Sequence, residues 1–406
     1  MDAKEYKAEL TKSFKRNSDH GFVDWSHMGR LDKEVRGILS EAHYELARTK
    51  DKDLFDVCCA AFLKWGKTNM DDSSGYTHGF AHEVFWYWDG IYDRQDPDID
   101  HAKMFKWFIK NGNGTVMDYM EEYLMEYLIG HFPEPELQDL KMDFLNEKLD
   151  AAQEAAKKDS WKSTEVQMIK CDILKVMIDQ KKPIEDIRRY ASAIKDDDAK
   201  VLLAETELKL GNTERCIDIY ERLARTEAKR WGPYKYNLKH KDLYKEYGTR
   251  DQYFDQVVNL LTLMMGDTDV LEEYKGFYAA EKWPELRDQL FNAIDLKTWQ
   301  ALPWYEHEGC YDRLMDAIEV CGANYLPDYE KQLSQRYPER CLDLLSDEIE
   351  KMAERANNRN GYRKVSKVLK HLSIYPEGNV RASQLAMKLR AKNERKTAFL
   401  DELKGI

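Results

Sequence analysis

The sequence predicts an all-α chain built from stacked helical hairpins, on three observations. Helix breakers are scarce, with 20 Gly and 10 Pro in 406 residues, while Glu, Lys, Leu and Ala are common, a composition that favours helices over sheets. Hydrophobic residues make up 43% of the chain, enough to bury a core, and they recur every three or four positions. One hairpin pattern also repeats along the chain.

The clearest hairpin is "VLLAETELKLGNTERCIDIYERLA", residues 201–224. Leu203, Ala204 and Leu208 share one face of a first helix, Gly211 and Asn212 break it, and Cys216, Ile217, Tyr220, Leu223 and Ala224 line one face of a second. Five, six and nine positions after Gly211 stand Cys216, Ile217 and Tyr220. The same offsets from Gly248 give Tyr253, Phe254 and Val257, and from Gly309 they give Leu314, Met315 and Ile318. An upstream hairpin with Ile187 and Tyr190 matches without a glycine, and "RYPERCLDLL" repeats the offsets with Cys341, Leu342 and Leu345. Spacings of 30 to 37 residues between several of these turns lie near the period of tetratricopeptide-type hairpins. The longer interval from Gly248 to Gly309 leaves room for one more pair through "EEYKGFYAAEKWPELRDQLFNAI", where Pro284 suits the first turn of a helix. A single hairpin cannot cover its own apolar face, so neighbours must stack, and the expected product is a right-handed superhelical solenoid. The alternative is an irregular bundle whose hairpins share a spacing, since offsets of five, six and nine are themselves helical periodicity.

The expected organisation is an irregular helical region over 1–157, tetratricopeptide-like hairpins over 158–300, and helical hairpins with a basic face over 301–406. In the first region helices are expected near 30–48, 52–66, 79–92, 101–112, 115–131 and 136–157. The "FWYW" run at 85–88 covers all sides of a helix, which should therefore be buried on more than one face. The polar stretch "KKDSWKST", 157–164, is the best boundary.

Charge divides the chain. The net charge is −12, yet residues 351–406 carry 14 Lys or Arg against 5 Asp or Glu. An acidic body repels nucleic acid, while a basic tail can contact it or an acidic partner. In "NNRNGYRKVSKVLKHL", Arg359, Arg363, Lys367 and Lys370 interleave with Tyr362, which makes these five the candidate binding residues. The apolar positions should face the array and the cations its outer side, where they are either a solvated face or a phosphate-binding one.

No run of about 18 apolar residues exists, which argues against a membrane span, and the polar start lacks the centre of a secretory signal. Seven cysteines without metal-ligand spacing read as reduced, buried thiols of a cytoplasmic protein.

"MDDSSGYTHGFAHE", residues 70–83, is the stretch with most chemistry. Asp71, Asp72, Ser73 and Ser74 can cap a helix starting near Tyr76 to Phe80, so a loop with an N-cap explains it. The competing reading pairs His78 and His82 as metal ligands with Asp71, Asp72 or Glu83, although the spacing is not that of a zinc protease, which places Glu directly after the first His. "KNGNGTV" has neither Rossmann nor P-loop spacing. "WYEHEGCYDR", 304–313, is expected to be a helix end and turn with solvated charges. These residues point to no catalytic set and no cofactor.

"MDDSSGYTHG", "WPELRDQLF", "YEHEGCYDRLMDAIE", "RYPERCLDLLSDEIEKMAERANNRNGYRKVSKVLKHL" and "RKTAFLDELKGI" resemble the helical region that follows the zinc finger in bacterial SWIM zinc-finger proteins and their finger-less relatives. The Cys-x-Cys and Cys-x-His cluster of those fingers is absent, so their zinc and nucleic-acid contact do not carry over. The resemblance implies a bacterial, non-enzymatic scaffold that binds a protein or peptide on its concave face, with an AAA-type ATPase as one partner. A nucleic-acid adaptor acting through the basic C-terminal helices is the alternative.

Overall fold

The computed structural model describes residues 1–159, 162–229 and 234–406. It is all-α: 22 α-helices among the described residues, with a single two-stranded pairing. The chain forms two compact units, Met1–Ile219 and Tyr220–Ile406. The division between these units falls at residues 219 and 220. Residues 160 and 161, in the middle of the expected boundary, lie outside the described residues.

In the first unit the helices are α1 (Ala3–Asn17), α2 (Trp25–Leu46), α3 (Asp51–Gly66), α4 (Tyr76–Arg94), α5 (His101–Asn111), α6 (Asp118–Gly130), α7 (Pro135–Ala156), α8 (Ser163–Asp179), α9 (Ile184–Ser192) and α10 (Asp197–Lys209), with α11 (Thr213–Glu227) crossing the division. Most helices pack on the next, as α1 on α2, α3 on α4, α5 on α6 and α7 on α8, and several also pack on the next but one: α1 on α3, α2 on α4, α5 on α7, α6 on α8, α8 on α10. Contact with the near neighbours only is the packing of a helical repeat array. The first 157 residues, expected to be irregular, stack this way too. Their helices run to 22 residues in α2 and α7, and Gly21, Gly75 and Gly114 take positive φ in the turns between α1 and α2, α3 and α4, and α5 and α6.

The strands β1 (Phe22–Val23) and β2 (Asn69–Met70) pair in parallel, ahead of α2 and α4. They join the turns between α1 and α2 and between α3 and α4, and at two residues each they are too short to show an alternating pattern. The expected helices all form, with ends shifted by a few residues. Of the "FWYW" run, Tyr87 and Trp88 are buried and Phe85 half-buried, whereas Trp86 is 59% exposed.

Lys141 of α7 is fully buried, its Nζ donating to the His131 carbonyl at 2.7 Å. Burial pushes its pKa from the ordinary 10.5 down to about 8, against the pull of Asp179 and Glu134. Above pH 8 the folded chain releases this proton while the unfolded chain keeps it, so the group adds stability as the pH rises and withdraws it as the pH falls through 8. Denaturant titrations at pH 8 and pH 9 should show the stability of the wild type minus that of Lys141→Met rising by about 1 kcal/mol. The ionisation of unfolded thiols, which opposes this gain, is common to both proteins and cancels. A difference independent of pH would contradict this account.

The second unit continues with α12 (Lys235–Tyr247), α13 (Arg250–Leu263), α14 (Thr268–Lys275), α15 (Trp283–Ala293), α16 (Leu302–His307), α17 (Tyr311–Cys321), α18 (Leu326–Arg336), α19 (Pro338–Arg355), α20 (Arg359–His371), α21 (Gly378–Lys392) and α22 (Thr397–Glu402). Here α14 packs on α16, α19 on α21 and α20 on α22. The recurring offsets do supply core: Cys216 and Tyr220, then Val257, then Leu314, Met315 and Ile318, then Cys341, Leu342 and Leu345 are all buried. Gly211 and Gly309 take positive φ, +80° and +68°, as a helix-ending turn requires. The interval before Gly309 holds α14 and α15, with Pro284 in the first turn of α15.

The basic tail has an internal answer. Arg381, Lys388 and Lys392 of α21 meet Asp343, Glu350 and Glu354 of α19 at 2.7, 2.6 and 2.7 Å. All seven cysteines are free, five buried and two half-buried. No helix among the described residues is long and apolar enough to cross a membrane.

Candidate functional site

The opening stretch of α4 folds as a loop and cap. Asp72 accepts from the Tyr76 and Thr77 amides at 2.7 and 2.8 Å, satisfying the free N–H groups of the helix start. Asp71 accepts from Ser73, and Glu83 accepts from Arg36 and from Tyr87. The carboxylates proposed as co-ligands are thus already engaged. His78 and His82 do lie side by side, ring centroids 4.4 Å apart. Their company is aromatic: Tyr123 stands 6.2 and 6.0 Å from the two rings, and Phe85 5.3 Å from His82. The His78, His82 pair is an exposed edge of the aromatic core, and among the described residues it belongs to no three-ligand cluster.

On α20 the five candidate binding residues separate. Tyr362 is buried and stacks on Phe399 at 4.8 Å, on the core face that the helical periodicity of the segment gives it. Arg359 and Arg363 are exposed but share Glu402, at 2.9 and 3.4 Å. Lys367 and Lys370 remain exposed. The basic face is therefore smaller than its sequence suggests.

A more developed site lies elsewhere in the second unit, in a cleft of about 700 Å³ among α12, α13 and α14. Lys241 and Lys245 project from α12. Thr249 forms a capping box with Gln252, which starts α13 so that Arg250 and Tyr253 fall in its first turn. Asp269, Glu272 and Glu273 come from α14, and Phe277 follows it.

Glu273 organises the cleft. It accepts from Lys241 Nζ at 2.5 Å, Tyr253 OH at 2.7 Å and Lys245 Nζ at 3.1 Å. Burial raises its carboxyl, and the three bonds outweigh that and hold it below the usual carboxylate range. Burial, then Glu273, pushes the Tyr253 phenol up. Arg250 donates to the Phe277 carbonyl at 3.1 Å, its guanidinium 6.0 Å from the Phe277 ring. The mouth thus offers fixed cations beside a half-buried aromatic.

Next to it stand Glu272, His307 and Glu308, whose ligating atoms lie within 4.8 Å of one another. Lys275 already sits between the carboxylates, 3.0 Å from each, and His307 Nε2 is 2.8 Å from Glu272. Glu308 also accepts from Trp283 Nε1 at 2.7 Å. A divalent ion at about 2.0–2.2 Å from these oxygens would have to expel the ammonium. Glu308 corrects the expectation of solvated charges at 304–313: its side chain is 6% exposed. Sequence could not show this, because its partners come from residues 275 and 283. Glu273 was missed for the same reason, its cations lying on a helix 28 to 32 positions away.

Within the lining of the cleft, the groups hold charge and hydrogen bonds, with no nucleophile driven toward its reactive ionisation; burial likewise raises the neighbouring Cys310 thiol. In comparisons with known proteins, no family model matches the chain and no curated protein matches it.

Proposed function

We propose that the chain is a non-enzymatic helical-repeat scaffold that binds a protein or peptide in the grooves between its stacked helices. The observation that carries this reading is the cleft of Lys241, Lys245, Arg250, Tyr253 and Phe277, in which Lys241, Lys245 and Tyr253 share an internal acid, Glu273. Cations held by a half-buried carboxylate lose little freedom on meeting a ligand, and an aromatic beside them supplies an apolar anchor, which together favour recognition of a polypeptide. The exposed Trp25, Trp86 and Trp299 add anchors of the kind that dominate interfaces.

The test compares the tagged chain with its Arg250→Glu variant in affinity purification from the native cell, followed by binding measurements on the partner recovered. Arg250 is exposed, so reversal should leave the fold intact. Loss of an interfacial arginine weakens binding by about 2 kcal/mol, or roughly 30-fold. Identical recovery by both proteins, or recovery of no specific protein, would refute the reading.

A further inference from the structure

A second groove, in the first unit, has a different chemistry from the cleft. Helices α1 and α3 lie side by side and parallel: Lys7 is 3.7 Å from Asp56, Lys64 Nζ donates to Thr11 at 3.3 Å, and Phe14 meets Trp65 at 6.2 Å. Between them runs a groove of about 630 Å³ with a floor of Leu10, Phe14, Ala60 and Leu63. Four lysines, Lys7, Lys15, Lys64 and Lys67, line it, and no carboxylate does.

Lysines at the last turn of a helix complement its dipole, which accounts for Lys15 and Lys64 one at a time. It does not account for their convergence with Lys67 over one apolar floor. Asp56, the acid of Lys7, is already shared with Lys52, at 3.1 Å. Lys15, Lys64 and Lys67 have no acidic partner among the described residues, in a chain where Asp and Glu outnumber Lys and Arg by 75 to 63. The cations of α21, by contrast, meet acids of α19.

The geometry points to an acidic peptide segment carrying apolar side chains as the occupant of this groove. Its carboxylates would meet Lys15, Lys64 and Lys67, and one or two leucine-like side chains would cover Ala60 and Leu63, which are only half-buried. A free phosphate or a nucleic-acid backbone satisfies the cations but leaves that floor wet, so the apolar floor selects the peptide. The inference rests on the scaffold reading and gives it a second site with a partner class.

The probe is a short fluorescein-labelled Glu-rich peptide carrying two leucines, titrated with the full chain by fluorescence anisotropy. Saturable binding is expected, weakening as salt rises. Lys15→Glu/Lys67→Glu should reduce affinity at least about tenfold, and Lys15→Gln/Lys67→Gln by less, which keeps the test readable if reversal disturbs the helix ends. Replacing the leucines by serine should also weaken it. The inference is overturned if the peptide does not bind, if neither lysine pair matters, or if a single-stranded oligonucleotide binds as tightly and the leucines make no difference. Arg250→Glu is the control: a native partner lost on that variant, with no peptide binding at α1 and α3, would sink this inference and leave the scaffold reading standing.

Discussion

Trp88→Ala is expected to lower the stability of the chain by about 4 kcal/mol, the range for emptying an aromatic site in a packed core. Trp88 is completely buried at the centre of α4. Its ring lies 4.9 Å from Phe108, 5.2 Å from Tyr127, 5.3 Å from Phe62 and 5.6 Å from Trp107. These rings come from α3, α5 and α6, so one side chain ties four helices together. The walls of the resulting void are rigid aromatics, which relax poorly into empty space. Trp88→Phe, which keeps most of the volume, should lose about half as much. Chemical denaturation of the whole chain, followed by far-ultraviolet circular dichroism, measures both. A loss under about 1 kcal/mol for the alanine variant would show that the site collapses and that the cluster is looser than the distances indicate.

Glu207→Leu should cost about 3 kcal/mol, and the double variant Glu207→Leu/Arg188→Leu should recover more than half of it. Glu207 of α10 is 1% exposed and takes both arms of the Arg188 fork from α9, at 2.6 and 2.8 Å, with Asn212 as a third donor at 2.8 Å. Arg188 is itself 17% exposed. Removing the acid alone leaves a largely desolvated guanidinium with only the exposed Glu185 as its acid, whereas removing both leaves two apolar side chains in the seam. Arg188 holds the Glu207 carboxyl below its usual range. The pair therefore supports the fold above the ordinary carboxylate range and loses that support as the pH falls through it. A double variant as unstable as the single would mean that the ion pair, rather than its desolvation, holds α9 to α10.

Much of this architecture is legible locally. Leu314, Met315 and Ile318 sit at helical spacing after a glycine, and they are core because periodicity alone puts them on one face. Asp72 two turns ahead of Phe80 reads as a cap, and it is one. Tyr362 shows the limit of reading residue type over position: its aromatic ring suggests a ligand anchor, but its place in the helical period commits it to Phe399 and the core. The count of cations in the tail suggests a strongly positive surface, yet three of those of α21 are neutralised by α19, about 38 positions earlier.

The sequence by itself determined the helices, their turns and the side each presents to a neighbour, because those depend on residues three to nine positions apart. The tertiary structure alone decided which charges are spent and which are left over. Glu273 became the anchor of a cleft through cations on another helix, and Lys15 and Lys67 were left over a groove without a carboxylate because no acid came to meet them. Coulomb and desolvation energies depend on distance and burial in space, and a linear chain encodes neither until its helices have stacked.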